Sequence, residues 1–111
     1  MKLIVAIVQD EDASRLVSEL MDNGFGVTKL ATTGGFLRAG NTTLISGVAD
    51  DKLDSALAII EKICRSREQI TAATAPMGAT AAGGMYVPYP IRVTVGGATI
   101  FVLEVSQFLK V

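Results

Sequence analysis

Six consecutive apolar residues, Leu3–Val8 (LIVAIV), stand near the start of the chain, and a second run, Ile100–Leu103 (IFVL), comes near its other end. Both are rich in the branched and aromatic side chains that suit strands. Successive side chains of a strand point to opposite faces of its sheet, so a strand with one face in water alternates apolar and polar residues. These two runs are apolar at both sets of positions. Any sheet built from them needs cover on both faces.

The rest of the pattern supplies cover for one face. Asp10, Glu11 and Asp12 suit a helix N-terminus, where free amides and the macrodipole favour anions, and side-chain capping accounts for them. Ala13, Leu16, Val17, Leu20 and Met21 then recur at helical spacing, and Asn23-Gly24 supplies a stop. Phe25–Thr33 reads as a second strand and Asn41–Val48 as a third. Asp50 and Asp51, with Asp54, start a second helix whose apolar stripe is Leu53, Leu57, Ile60, Ile63 and Cys64. Ile91–Val95 and Thr99–Val105 are short strands around Gly96-Gly97, which reads as a hairpin turn. Between helix and strands, Thr71–Gly84 (TAATAPMGATAAGG) is almost all small residues with no charge and no periodicity. No packed element is expected there, and residues 69–89 read as a flexible loop, either ordered by a ligand or partner or simply a connection. MYVPYP at 85–90 would be an extended, proline-stiffened return to the sheet.

This order, βαββαβ with an extra C-terminal strand, is a ferredoxin-like α+β pattern in one domain spanning residues 1–111. Two helices cover one sheet face, and no third helix pattern exists for the other. Self-association is the economical cover.

Composition narrows the chemistry. The chain has no histidine and one cysteine. Imidazole acid–base catalysis, Ser-His and Cys-His nucleophiles and zinc sites built on Cys and His are excluded by inventory. Cys64 falls on the apolar stripe of the second helix, which favours packing over reactivity. With ten basic and eleven acidic residues and no run of like charge, the clustered Lys/Arg of a nucleic-acid binder is missing. Leu3–Val8 is far too short to span a bilayer, and no signal-peptide pattern opens the chain. A cytoplasmic, non-enzymatic protein with no metal and no cofactor is expected. The carboxylate clusters lack calcium-loop spacing.

Thr28–Gly47 (TKLATTGGFLRAGNTTLISG) is the stretch that points to a ligand. Gly34 and Gly35 permit close backbone approach, Phe36 and Leu37 place apolar surface at a loop tip, and Arg38 and Asn41 add a cation and an amide. The run is neither a Walker A motif nor a GxGxxG opening a helix. An exposed apolar pair at a loop tip needs cover from a ligand, a neighbouring subunit or both. Amides, one flat apolar face and a cation together suit a phosphorylated, ring-bearing small molecule.

ATTGGFLRAGNTT, the opening MKLIVAIVQDED, the segment AAGGMYVPYPIRV and VGGATIFVLEV together closely resemble the bacterial cyclic di-AMP receptors with a fold like that of the PII signal-transduction proteins. The resemblance spans nearly the whole chain. It implies a PII-like homotrimer whose sheets face inward, with cyclic di-AMP bound at subunit junctions and loops whose ordering controls docking of a downstream protein. Carried over position by position, it implies that Thr28 and Asn41 hydrogen-bond the base and phosphodiester. Gly35, Phe36 and Leu37 would form a shelf for adenine, Gly47 a close-approach position and Phe101 an aromatic closing the pocket. Gly26, Ala31 and Arg38 are further candidates. Gly26 stands where the family often carries an Arg, which removes a cation from the phosphate site. Nitrogen-regulating PII proteins carry a long loop between strands two and three, whereas Gly34–Gly40 is short and Gln69–Tyr89 long, so their ATP and 2-oxoglutarate chemistry does not transfer. A PII protein of that kind binding ATP, and a trimeric adaptor without a nucleotide ligand, are the alternative readings.

Overall fold

The computed structural model describes residues 1–30, 40–76 and 86–111, with backbone alone at 72–76 and 86–89. Its elements are β1 (Lys2–Gln9), α1 (Asp10–Asp22), β2 (Thr28–Leu30), β3 (Asn41–Val48), a 3₁₀ turn (Asp50–Lys52), α2 (Leu53–Cys64), β4 (Arg67–Pro76), β5 (Tyr86–Val95) and β6 (Ala98–Glu104). Strands β2-β3-β1-β6 form an antiparallel sheet in that order. Together with the two helices this is the expected ferredoxin-like α+β domain. The fourth sheet position is taken by β6, and the extra strand material precedes it as a separate hairpin of β4 and β5.

Alternation along β1 divides the sheet. Ile4, Ala6 and Val8 are buried beneath the helices, against Leu16 and Leu20 of α1, Ile60 and Cys64 of α2, and Leu44 and Val48 of β3. Leu3, Val5 and Ile7 point the other way and are only partly covered. On β6, Phe101 is 53% exposed and Leu103 47% exposed. Among the described residues, the sequence requirement for cover on both faces is met on one. Met21, read as part of the α1 stripe, is in fact exposed beside it.

α1 ends where Asn23-Gly24 placed its stop. Gly24 has φ +86°, its N–H donates to the Met21 carbonyl (3.0 Å) and the Phe25 N–H donates to the Leu20 carbonyl (2.9 Å). This left-handed turn satisfies the last carbonyls and drops Phe25 into the core. At the other end the acidic residues lie in the first turn, as their charge favours, but no side chain caps either helix. Asp10 instead accepts from the Thr42 hydroxyl, and Asp12, 4% exposed, is paired to Arg67 (2.9 Å). The capping expectation is therefore corrected: two of those three carboxylates make tertiary contacts.

Two further expectations are overturned. Thr71–Pro76, read as having no packed element, belongs to β4, paired residue for residue with Tyr86–Ile91 of β5. Small uncharged residues carry no strand signal alone, and the partner strand supplies the pairing. Prolines 76, 88 and 90 are tolerated because a two-stranded ribbon has edges on both sides. Gly96-Gly97 is not a hairpin turn either, because β5 pairs with β4 and β6 with β1. It is the joint between two sheets. Gly96 has φ +82°, and a Cβ there would lie 2.6 Å from the Arg65 carbonyl oxygen. The ribbon is fastened at its base by Arg67 to Asp12, by the Gly96 N–H to Gln9 Oε1 (2.6 Å) and by the Gly97 N–H to the Cys64 carbonyl. Its strands otherwise contact mainly each other, and the radius of gyration is 19.4 Å, against about 13 Å for a compact chain of this length.

Candidate functional site

The register sorts the uncovered face into rows. Gly47, Leu3 and Leu103 make the first; Thr28, Ile45, Val5 and Phe101 the second; Leu30, Thr43, Ile7 and Thr99 the third; Asn41 and Gln9 the last. Residues two apart on a strand share a face, so all four rows lie on the side away from the helices. Thr28 and Phe101, 73 residues apart in sequence, thus occupy one row, with Gly47 in the adjacent row. Asn41 shares the face but lies six residues along β3 from Gly47, roughly 20 Å at the rise of an extended strand. That separation is longer than one purine. Lys29 pairs with Leu44 and lies toward α1, in a cavity of about 330 Å³ with Ala13, Ser14, Val17, Ser18 and Val27, as alternation from Thr28 requires.

Gly26 precedes β2 and accepts a hydrogen bond from the Ser46 hydroxyl (2.6 Å) at its carbonyl. Among the other nominated residues, Ala31, Gly35, Phe36, Leu37 and Arg38 lie outside the described residues. The four rows contain no Lys or Arg, so the polar groups they offer an anion are hydroxyls, amides and backbone N–H groups.

Three polar residues of this face, Gln9, Thr43 and Thr99, were not nominated from sequence. Gln9 and Asn41 are register partners, and with Ile7, Gly96 and Thr99 they border a cavity of about 230 Å³ at the end of the face. Thr43, 6% exposed, has a buried hydroxyl with no hydrogen-bond partner among the described residues. A buried orphan of that kind costs about 1–3 kcal/mol. Nothing local marks these three; their relevance comes from pairing across the sheet. Among the described cavities, the largest at about 610 Å³ lies elsewhere, between α2 and β6 on the helix side, and contains no nominated residue.

Cys64 is 1% exposed. Burial, reinforced by the charge of Asp12, pushes its thiol up to about 11. It is protonated at neutral pH and inert, as its place on the helix stripe indicates. The Asp12 carboxylate, by accepting a hydrogen bond, raises Arg67 above the usual guanidinium value.

A small α+β domain with one sheet face left open, aromatic at one edge and carrying hydroxyl and amide groups, defines a ligand-binding or assembly module. The sequence profile of the family described as "Cyclic-di-AMP receptor" matches residues 1–111, and this chain belongs to that family. It is also similar to a solved structure, described as a functionally unknown protein from Pediococcus pentosaceus ATCC 25745. The two are 42% identical, with a TM-score of 0.75 over 99% of this chain and 96% of the other. No described helix is long and apolar enough to cross a membrane.

Proposed function

We propose that this protein is a non-enzymatic receptor that binds cyclic di-AMP on the open sheet face, where copies of the chain meet in a homotrimer. The observation that carries the reading is the placement of Thr28, Gly47 and Phe101 in adjacent rows of the sheet face that lies away from the helices. A half-exposed aromatic offers a surface for adenine to stack on, and a hydroxyl beside it offers a partner for base or phosphate. Asn41 sits too far along β3 to touch the same base, so the two ends of the face serve different parts of an extended ligand, or ligands shared with a neighbouring copy. Phe36, Leu37 and Gly35 complete the adenine shelf by the family resemblance. Ligand binding orders the loops, and a downstream protein reads their state. The protein acts in the cytoplasm.

Calorimetric titration with cyclic di-AMP, cyclic di-GMP and ATP tests this. Cyclic di-AMP should bind at about one ligand per chain and far more tightly than the other two. Guanine presents different edge groups, leaving buried partners unpaired at about 1–3 kcal/mol each. Equal binding of ATP would favour a nitrogen-regulator-like protein instead, and no nucleotide binding would favour an adaptor.

A further inference from the structure

We infer that Gln9 is a specificity-determining residue of the nucleotide site, donating from its side-chain NH₂ to the N1 position of an adenine held in the cavity it borders with Asn41. The inference rests on the receptor reading above and deepens it.

The orientation of the Gln9 amide is fixed by its neighbour. A backbone N–H can only donate, so the side-chain atom 2.6 Å from the Gly96 nitrogen has to be the amide oxygen. The NH₂ is then the free end, and it makes no hydrogen bond among the described residues. Gly96 is itself held: its φ of +82° and the carbonyl of Arg65 behind it leave no room for a side chain that would shift it. A free glutamine accepts or donates at either atom after a flip. This one presents a donor.

What surrounds it suits a purine edge. The cavity of about 230 Å³ is bordered by Ile7, Gln9, Asn41, Gly96 and Thr99, which gives an apolar side, two amides and a hydroxyl. Side-chain amides pair with adenine through its amine and a ring acceptor. With the Gln9 oxygen engaged, the division of labour follows: Gln9 donates to N1, and the Asn41 oxygen accepts from the N6 amine. Guanine carries a proton on N1 and a carbonyl at C6. It would set donor against donor at Gln9 and acceptor against acceptor at Asn41. An amide locked at one end discriminates by mismatch as well as by attraction.

The test measures both cyclic di-AMP and cyclic di-GMP on Gln9→Met and Gln9→Glu, by calorimetry at raised salt, beside particle mass by light scattering. Raised salt screens the repulsion that the new carboxylate of Gln9→Glu exerts on phosphates. Gln9→Met removes the donor without adding charge, and its preference for cyclic di-AMP should fall roughly tenfold, the size of one lost hydrogen bond. Gln9→Glu keeps an oxygen for the Gly96 N–H, so it folds even if Gln9→Met does not. It replaces the donor with an acceptor that guanine N1–H can satisfy, and its preference should move further toward cyclic di-GMP. Particle mass should match the parent in both. An unchanged ratio of the two affinities, or equal weakening of both ligands, overturns the assignment, because a purely structural glutamine would affect the two alike. If the parent takes neither dinucleotide, the receptor reading itself fails and the role of Gln9 with it.

Discussion

Gly26 and Gly47 differ from the glycines at the turns and joints. Neither has the positive φ that demands glycine. Among the described residues, no atom lies within 4 Å of a Cβ built at Gly26, and at Gly47 the close contact is the movable end of Met1 (2.8 Å). Gly26→Arg therefore has room to fold. Under the receptor reading it should tighten cyclic di-AMP binding and make it more sensitive to salt, since the four rows lack a cation. Asn41→Ala should act oppositely, weakening binding by about 1–3 kcal/mol as its partners go unsatisfied. Titrating both variants at two salt concentrations checks the pair, and parent-like binding by Asn41→Ala would remove it from the site. That Thr28, Gly47 and Phe101 share a face follows from strand alternation once the register is known. Gln9 and Thr43 stayed hidden because their meaning depends on pairing with Asn41 and Ile7, more than thirty residues away.

Among the elements, the ribbon of β4 and β5 depends on its base. The ion pair between Asp12 and Arg67 joins it to α1, and the two glycine amides join it to β1 and α2. Asp12 is buried whereas the Arg67 side chain is 44% exposed, so solvent screens the pair. Its loss falls short of the 3–5 kcal/mol typical of a fully buried pair. Asp12→Ala should cost about 1–3 kcal/mol in urea unfolding and should raise hydrogen exchange of the first ribbon amides, Arg67 to Gln69, ahead of the core strands. Unchanged exchange there would mean the glycine contacts alone hold the base. The helices were legible because periodicity and the Asn23-Gly24 stop are local signals. The ribbon was not, because Thr71–Pro76 becomes a strand only against Tyr86–Ile91. Nor was the Gly96-Gly97 joint, since a two-glycine turn looks the same whether the flanking strands pair together or with others.

For the whole molecule, the open face is the surface on which the proposed assembly rests. Leu3, Val5, Ile45, Phe101 and Leu103 lie together on it, partly or largely exposed, and a contiguous apolar surface of this kind marks an interaction site. Light scattering of the unliganded protein should report a trimer, and a stable, soluble monomer at micromolar concentration would refute that expectation. The requirement for two-sided cover was plain in Leu3–Val8 from the outset; which partner meets it was not, since a lone chain carries no register for its neighbour. The same sheet also dictates an order of events during synthesis. Strand β1 lies between β3 and β6 in the finished sheet, yet its pairing with β6 joins residues at least 90 positions apart, the nearest being Val8 and Ala98. β3 reaches β1 early, while closing the second side waits for a loop of that length and its entropy. For most of translation β1 is thus an unpaired apolar edge, and the nascent chain depends on β6 arriving before another strand finds it.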